Sequence, residues 1–344
     1  MKKTSRLDKK QKGFSFVQLI IGIGVIILLV GVLYLWVSNT LHSGGLSKKN
    51  TPLPSPLVSE TPKKKPKIKR QDISFLKFVS SENCMYSLND SEVAELKALN
   101  INGIRICPGY SLREDGRIKE DMPEFFYTDL IKKAHREGFA VFLDINVGGI
   151  PTETGEPARK YDDPKHINDL YEIASHWAKV AEKEKVEFFS PLNEPNLIFA
   201  NENLANQWIE KAKQLKSFFS GNLVLKLADI GPENIGDISG YDYLAFDIMW
   251  SDARYDELKN HLNIAVNKAN NLKEKYNLKG FFFGELGAER SMVSKDVQAE
   301  IFKTIFQETW GKVDGYCFLG WSDLEFKFKD NEAAKEVIKN WYKK

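Results

Sequence analysis

Two glutamates stand where apolar runs break off. The run Phe188-Phe189-Ser190-Pro191-Leu192 leads into Asn193-Glu194-Pro195, and the run Phe281-Phe282-Phe283 leads into Gly284-Glu285. Aromatic and apolar runs of this length suit buried β-strands, so each carboxylate falls where a strand opens into a loop. Two carboxylates facing each other across one mouth can break a glycosidic bond with retention. One protonates the leaving oxygen while the other attacks the anomeric carbon, at a separation of about 5–5.5 Å. Taken singly, Glu194 also fits a solvated turn, since Asn and Pro are turn formers. Glu289 is a rival for the attacking role, but it lies past the strand end. Arg105, within Gly103-Ile104-Arg105-Ile106, is a third charge in an apolar run. A buried guanidinium needs an acidic partner, and either glutamate would serve.

The elements that must position these residues can be read from hydrophobic pattern. Eight strand-like runs cover 75–79, 103–106, 140–145, 186–192, 223–228, 243–248, 281–284 and 316–320. Helical patterns fall between and after them at 91–99, 130–137, 167–184, 205–219, 256–276, 295–310 and 332–342, while the segment after the fifth run is short. This alternation predicts an α/β fold, a (βα)8 TIM barrel over residues 71–344, and it suits the roughly 250 residues typical of such barrels. A doubly wound open sheet would alternate in the same way. No Gly-rich phosphate loop follows an early strand, however, which removes the best support for a nucleotide-binding sheet. In a barrel the functional side chains project from the C-terminal strand ends. Asn146, Asp247, Trp250, Tyr110 and Trp321 all fall near such ends. The three aromatics could serve as platforms for the apolar face of a sugar ring, or simply as packing.

The order Asn193-Glu194-Pro195 after strand four and Gly284-Glu285 after strand seven, with Arg105 near the end of strand two, resembles a known group. These are the retaining glycoside hydrolases with acid/base and nucleophile on barrel strands four and seven, most closely the cellulase- and mannanase-like families. The resemblance covers the whole body. It implies that Glu194 is the acid/base, Glu285 the nucleophile and Asn193 the residue that binds the sugar 2-hydroxyl. It also implies that Arg105 keeps the nucleophile ionised and that Trp321 floors the site. Two positions depart from the pattern. Asn146 stands where these families often carry a histidine, and Asp247 where they carry a Tyr or His. Asn146 can still donate to a hydroxyl. Asp247 is a third carboxylate, which would raise the pKa of the nucleophile unless it points elsewhere. The implied partner is a β-linked oligo- or polysaccharide, with no cofactor. A metal hydrolase is disfavoured because His135, His166, His176 and His261 fall in helices or loops. A non-catalytic, surface-tethered carbohydrate-binding barrel and a pilus-associated protein stand as alternatives.

The first seventy residues are of another kind. They hold 14 Lys/Arg against 2 acids, so the formal net charge of +2 conceals an acidic body, which argues against a nucleic-acid partner. Residues 14–37 carry no formal charge and exceed the roughly 20 needed to cross a bilayer. A membrane-spanning helix that contacts the lipid bilayer is expected there, with a cleaved signal peptide as the rival reading. The basic segment 1–13 would be cytoplasmic by the positive-inside rule. Residues 38–70, rich in Pro and Lys, read as a disordered linker. Lys12-Gly13-Phe14 and the apolar run after it resemble the start of a type IV prepilin, which implies a leader peptidase that cuts after Gly13. Gln18 stands where such proteins usually carry glutamate. The three cysteines, Cys84, Cys107 and Cys317, suggest neither a metal site nor a disulfide framework.

Overall fold

A computed structural model of the chain describes residues 69–80, 88–112, 117–148, 161–322 and 325–344. Eight strands close into a parallel barrel: β1 (Leu76–Ser80), β2 (Gly103–Ile106), β5 (Ala140–Asp144), β7 (Phe188–Ser190), β8 (Asn222–Ala228), β9 (Tyr243–Met249), β10 (Gly280–Gly287) and β11 (Gly315–Leu319), with β11 pairing back to β1. The helices between and after them are α1 (Asp90–Ala98), α2 (Glu124–Arg136), α3 (Lys165–Glu184), the single turn α4 (Pro195–Ile198), α5 (Glu202–Ala212), α6 (Tyr255–Tyr276), α7 (Lys295–Thr309) and α8 (Glu332–Tyr342). Between β8 and β9 the described chain forms no helix, in keeping with the short segment expected there.

Helix starts follow local chemistry. The side chains of Asn89, Asn201, Ser294 and Asn331 each accept a first-turn backbone N–H, at the heads of α1, α5, α7 and α8. A small second sheet, absent from the sequence-based expectation, joins β3 (Gly109–Leu112), β4 (Ile118–Glu120) and β6 (Asn146–Val147) beside the mouth. Its strands are only two to four residues long. That is too short for hydrophobic alternation to show.

Two apolar layers fill the body, one between barrel and helices and one within the barrel. The inner layer contains Leu76, Phe78, Ala140, Phe142, Phe188, Val224, Ala245, Phe282 and Cys317. Its rings meet edge to face, Phe78 on Phe188 at 5.9 Å and Phe142 on Phe282 at 5.6 Å between centroids. Gly103 makes room for this plug, since a Cβ there would lie 2.2 Å from the Phe78 ring. Because side chains alternate across a strand, the next inward positions are Ser80, Arg105, Asp144, Ser190, Lys226 and Asp247. All six are buried. The barrel interior thus changes from apolar to polar one residue step toward the C-terminal strand ends.

Cysteine behaves otherwise than the spacing suggests. Cys107 is disulfide-bonded, whereas Cys317 is a free thiol in the inner layer. The third cysteine, Cys84, lies outside the described residues. Which cysteines come within bonding distance is decided by the fold, so this bond could not be read from spacing. Arg70, placed by sequence in the linker, is bonded to the body: it donates to the Val186 carbonyl, Ser220 and Glu182. Among the described residues no helix is long and apolar enough to cross a membrane. The span expected at 14–37, the flanking segments 1–13 and 38–68 and the prepilin-like start lie outside those residues.

Candidate active site

Glu285 reaches the barrel interior through an irregularity. Phe282 points inward, so regular alternation would aim Gly284 inward and Glu285 outward. Between Phe283 and Glu285 the pairing with β9 slips by one residue, which sets Glu285 opposite Asp247. Gly284 permits this close approach: a Cβ there would stand 2.7 Å from Asp247 Oδ1 and 3.0 Å from Lys226 Cε.

Around Glu285 lie two cations. Its Oε1 is 2.5 Å from Arg105 Nη1 and accepts a hydrogen bond of 2.8 Å from Lys226 Nζ. Arg105 also holds Asp144 Oδ2 through Nε at 2.7 Å and Nη2 at 2.6 Å, and donates to Ser80 Oγ at 3.2 Å. Burial alone would push the Glu285 carboxyl up, yet the Arg105 and Lys226 charges outweigh it and hold the group below the usual carboxylate range. The surrounding carboxylates in turn keep both cations charged: burial would lower Arg105 and Lys226, but Glu285 and Asp144 raise the first and Asp247 and Glu285 the second.

Lys226 is the residue that sequence reasoning missed, together with Asp144. Its Nζ donates to Asp247 Oδ2, to Asn193 Oδ1 and to Glu285 Oε1. An ammonium has three N–H groups, so all are engaged. One consequence falls on Asn193. With its carbonyl oxygen bound to Lys226, the amide must direct its NH2 elsewhere, as a donor. The signal for both residues was parity: Lys226 follows inward Val224 by two, and Asp144 follows inward Phe142 by two. Asp247 does lie beside Glu285, with Lys226 between them, and burial together with the nearby carboxylates raises its carboxyl well above the usual range despite Lys226.

Glu194 approaches from β7 through a sharp turn. It adopts φ 50° and ψ 56°, a left-handed conformation unusual for a residue with a Cβ. Pro195 follows as the first residue of α4, and the Glu194 carbonyl accepts from Leu197 and Ile198 N–H. Asn193 N–H donates to the Ile145 carbonyl at 2.7 Å. Asn196 pins the next turn to the end of β8, donating to the Ala228 carbonyl and accepting from Ala228 N–H. Burial raises the Glu194 carboxyl above its usual range; Lys226 opposes this and Glu285 adds to it. The two glutamates are therefore driven apart, one toward the protonated and one toward the ionised form.

The remaining expected residues are placed unequally. Asn146 lies partly buried in β6, its N–H on the Pro108 carbonyl. Trp250 is partly buried beyond β9, with Arg254 over its ring at 5.9 Å, and lines an open pocket of about 450 Å³ with Asp256, Glu257, Asn260 and His261. Tyr110 belongs to the second sheet and is buried. Its hydroxyl accepts from Trp177 Nε1 at 2.6 Å and donates to Glu120 at 2.9 Å, so it offers no face to a ligand. The aromatic-platform reading of Tyr110 gives way to a packing role because β3 turns the ring inward. Trp321 lies just beyond β11 with no exposed surface, covered by Phe328 at 5.5 Å and by Lys329. Glu289 lies past the end of β10 and takes the Ser291 hydroxyl.

The mouth of the closed parallel barrel thus carries a polar layer at its C-terminal end, ionised on one side and protonatable on the other. The sequence matches no protein-family model and no curated protein. Solved structures match across most of the body. A GH113 β-mannanase, AaManA from Alicyclobacillus acidocaldarius in complex with ManMIm, superposes with a TM-score of 0.62 at 15% identity, covering 79% of this chain and 98% of that one. The endoglucanase Cel5A of Thermotoga maritima gives 0.56 at 16%, covering 76% and 96%. The cellulose synthase subunit Z of Clostridioides difficile gives 0.57 at 15%, covering 77% and 99%. At such identities the likeness establishes the fold, a (βα)8 barrel.

Proposed function

We propose that the chain is a retaining glycoside hydrolase that cleaves a β-linked oligo- or polysaccharide by double displacement, with Glu285 as nucleophile and Glu194 as acid/base. The observation that carries this reading is the opposite displacement of two carboxyl groups at one barrel mouth, Glu285 lowered by Arg105 and Lys226 and Glu194 raised by burial. Paired groups whose surroundings push their pKa values apart mark acid and nucleophile roles. In the first step Glu285 attacks the anomeric carbon while Glu194 gives its proton to the leaving oxygen. In the second Glu194, now ionised, takes a proton from water, which displaces Glu285. Asn193, its carbonyl held by Lys226, offers its NH2 to the sugar 2-hydroxyl.

The structural neighbours narrow the substrate. One is a β-1,4-mannanase, and Cel5A was solved with both mannotriose and cellobiose, so a β-1,4-linked mannan or glucan is the first class to test. The full chain, given aryl β-glycosides and soluble β-mannans and β-glucans, should release a first product of retained anomeric configuration. Inverted product rejects the mechanism. Absence of turnover, with oligosaccharide binding that survives Glu285→Gln, favours the tethered binding barrel.

The barrel is further proposed to face outward from a single-pass anchor at 14–37. Its supports are the basic flank before the apolar run and a disulfide at Cys107, a bond typical of oxidising compartments. A leader peptidase that cuts after Gly13 would leave Phe14 at the N-terminus of the mature chain, which mass spectrometry of that terminus would read.

A further inference from the structure

One feature of the mouth is not used by the two-glutamate scheme. Asp247 is buried, and only its Oδ2 is occupied, by Lys226; Oδ1 is enclosed and receives no hydrogen bond. The Glu194 carboxyl lies within hydrogen-bonding reach of this same side chain. Two ionised carboxylates cannot bond to each other, so the contact is satisfied only when one of the pair carries a proton.

We propose that Asp247, clamped by Lys226, is the proton partner of Glu194: the two carboxyl groups hold one proton between them, and Asp247 sets the pH range over which Glu194 can act as acid. The acid role of Glu194 rests on the glycosidase reading; the shared proton does not. Asp247 is thus a positioning residue that acts through Glu194.

The groups facing the pair are Lys226 from β8, Arg105 from β2 and Glu285 from β10, with Asp144 of β5 behind the two cations. Asp229 adjoins Asp247 through backbone alone, and its carboxylate turns to His261. With Glu285 and Asp144 ionised against Arg105 and Lys226, the four charges balance. The Glu194–Asp247 pair then adds one negative charge when it holds one proton and two when it holds none. The second ionisation occurs in a buried site, and burial raises both groups. Lys226 opposes the rise of both groups, yet Asp247 stays well above its usual range and its hydrogen bond lowers Glu194, so the shared proton rests on Asp247, which donates it to the Glu194 carboxylate. The pairing also answers the departure noted at this position. A third carboxylate at this position would compete with the nucleophile, but here Lys226 faces both acids, Asp247 through Oδ2 and Glu285 through Oε1.

Two readouts on the full chain test this. The first needs no substrate: carbon NMR of labelled aspartate and glutamate carboxyls follows their titration. In the unaltered chain one carboxyl of the pair should ionise well above the usual range. Asp247→Ala should raise the Glu194 titration by about one pH unit, since it removes the donor that favours ionised Glu194, and Glu194→Gln should lower that of Asp247, since it removes a like charge. Either variant alone decides, so misfolding of one does not remove the test. The second is the pH profile of kcat/KM on whichever glycoside is turned over. Asp247→Ala should move its upper limb up by the same amount while leaving the lower limb in place, and Asp247→Glu should restore it at least in part. A folded variant in which the partner's titration does not move overturns the proposal. A chain that shows the shared titration yet cleaves no glycoside would overturn the hydrolase reading and leave the proton pair standing.

Discussion

Lys226 joins Asp247, Asn193 and Glu285 at the mouth, and it makes the sharpest predictions at the scale of single residues. It lowers both glutamates, Glu285 most directly, so Lys226→Met should raise the lower limb of the kcat/KM profile by about one unit and move the upper limb up as well. The signs follow from charge: removing a cation makes each carboxylate easier to protonate, so Glu285 stays neutral to higher pH and Glu194 keeps its proton to higher pH. Arg105→Met should raise the lower limb too, since Arg105 is the larger of the two influences on Glu285. A lower limb that stays fixed in both variants removes the nucleophile assignment from Glu285. The removal of either cation leaves buried acids uncompensated and should also cost about 3–5 kcal/mol of stability, measurable by denaturant unfolding. Glu194, Glu285, Asn193 and Arg105 were legible in the sequence because strand ends and short motifs mark them. Lys226 and Asp144 were not, since a charged residue within an apolar strand is visible only once the inward parity of that strand is known. Trp321 and Tyr110 showed the reverse: their positions near strand ends were readable, but what covers a ring is decided by how other segments fold back on it, Phe328 and Lys329 on Trp321 and Trp177 on Tyr110.

The slip in β10 is the element on which the site depends. Gly284→Ala would bring a methyl group to 2.7 Å from Asp247 Oδ1 and 3.0 Å from Lys226 Cε, and neither can retreat without breaking the ion pairs. We expect a loss of about 1–3 kcal/mol from overpacking, and a fall in turnover out of proportion to it, because the displaced groups hold both glutamates. Thermal unfolding and initial rates on the same preparation separate the two effects. Phe142→Ala, by contrast, empties part of the apolar plug beneath the site and should cost about 3–5 kcal/mol with a smaller effect on the pH profile. All eight barrel strands could be predicted because continuous burial gives a strong apolar run. The register slip could not, since Phe-Phe-Phe-Gly-Glu fits a regular strand as well as a bulged one and the choice is made by Asp247 and Lys226 on neighbouring strands. The turn at Glu194 was half readable: Asn-Glu-Pro announces a turn, and its left-handed φ does not appear in the sequence.

For the whole molecule, the disulfide and the proposed anchor bear on the same question of compartment. Thiol titration of the denatured, unreduced chain should count one free cysteine, Cys317, and all three after reduction. Reduction should lower stability by about 2–4 kcal/mol, read as a fall in Tm. Protease added to spheroplasts should release a fragment that contains the barrel while a cytoplasmic control stays intact; a protected barrel would place the body on the other side. Hydropathy and Lys/Arg asymmetry are what the proposed anchor rests on, whereas the bond at Cys107 required the fold. The division between an acidic body and a basic first seventy residues was readable from charge alone.

The central claim is that the two glutamates of this barrel perform the two halves of one displacement, and the anomeric configuration of azide adducts tests it most directly. Proton NMR of the products formed from an activated aryl β-glycoside and azide should show a β-glycosyl azide with Glu194→Ala, because the first step survives without an acid and azide then displaces Glu285. With Glu285→Ala it should show the α-azide, formed by direct attack from the vacated side. The opposite pairing of variant and configuration, or no adduct from either variant of a chain that turns over the same glycoside, would contradict the account.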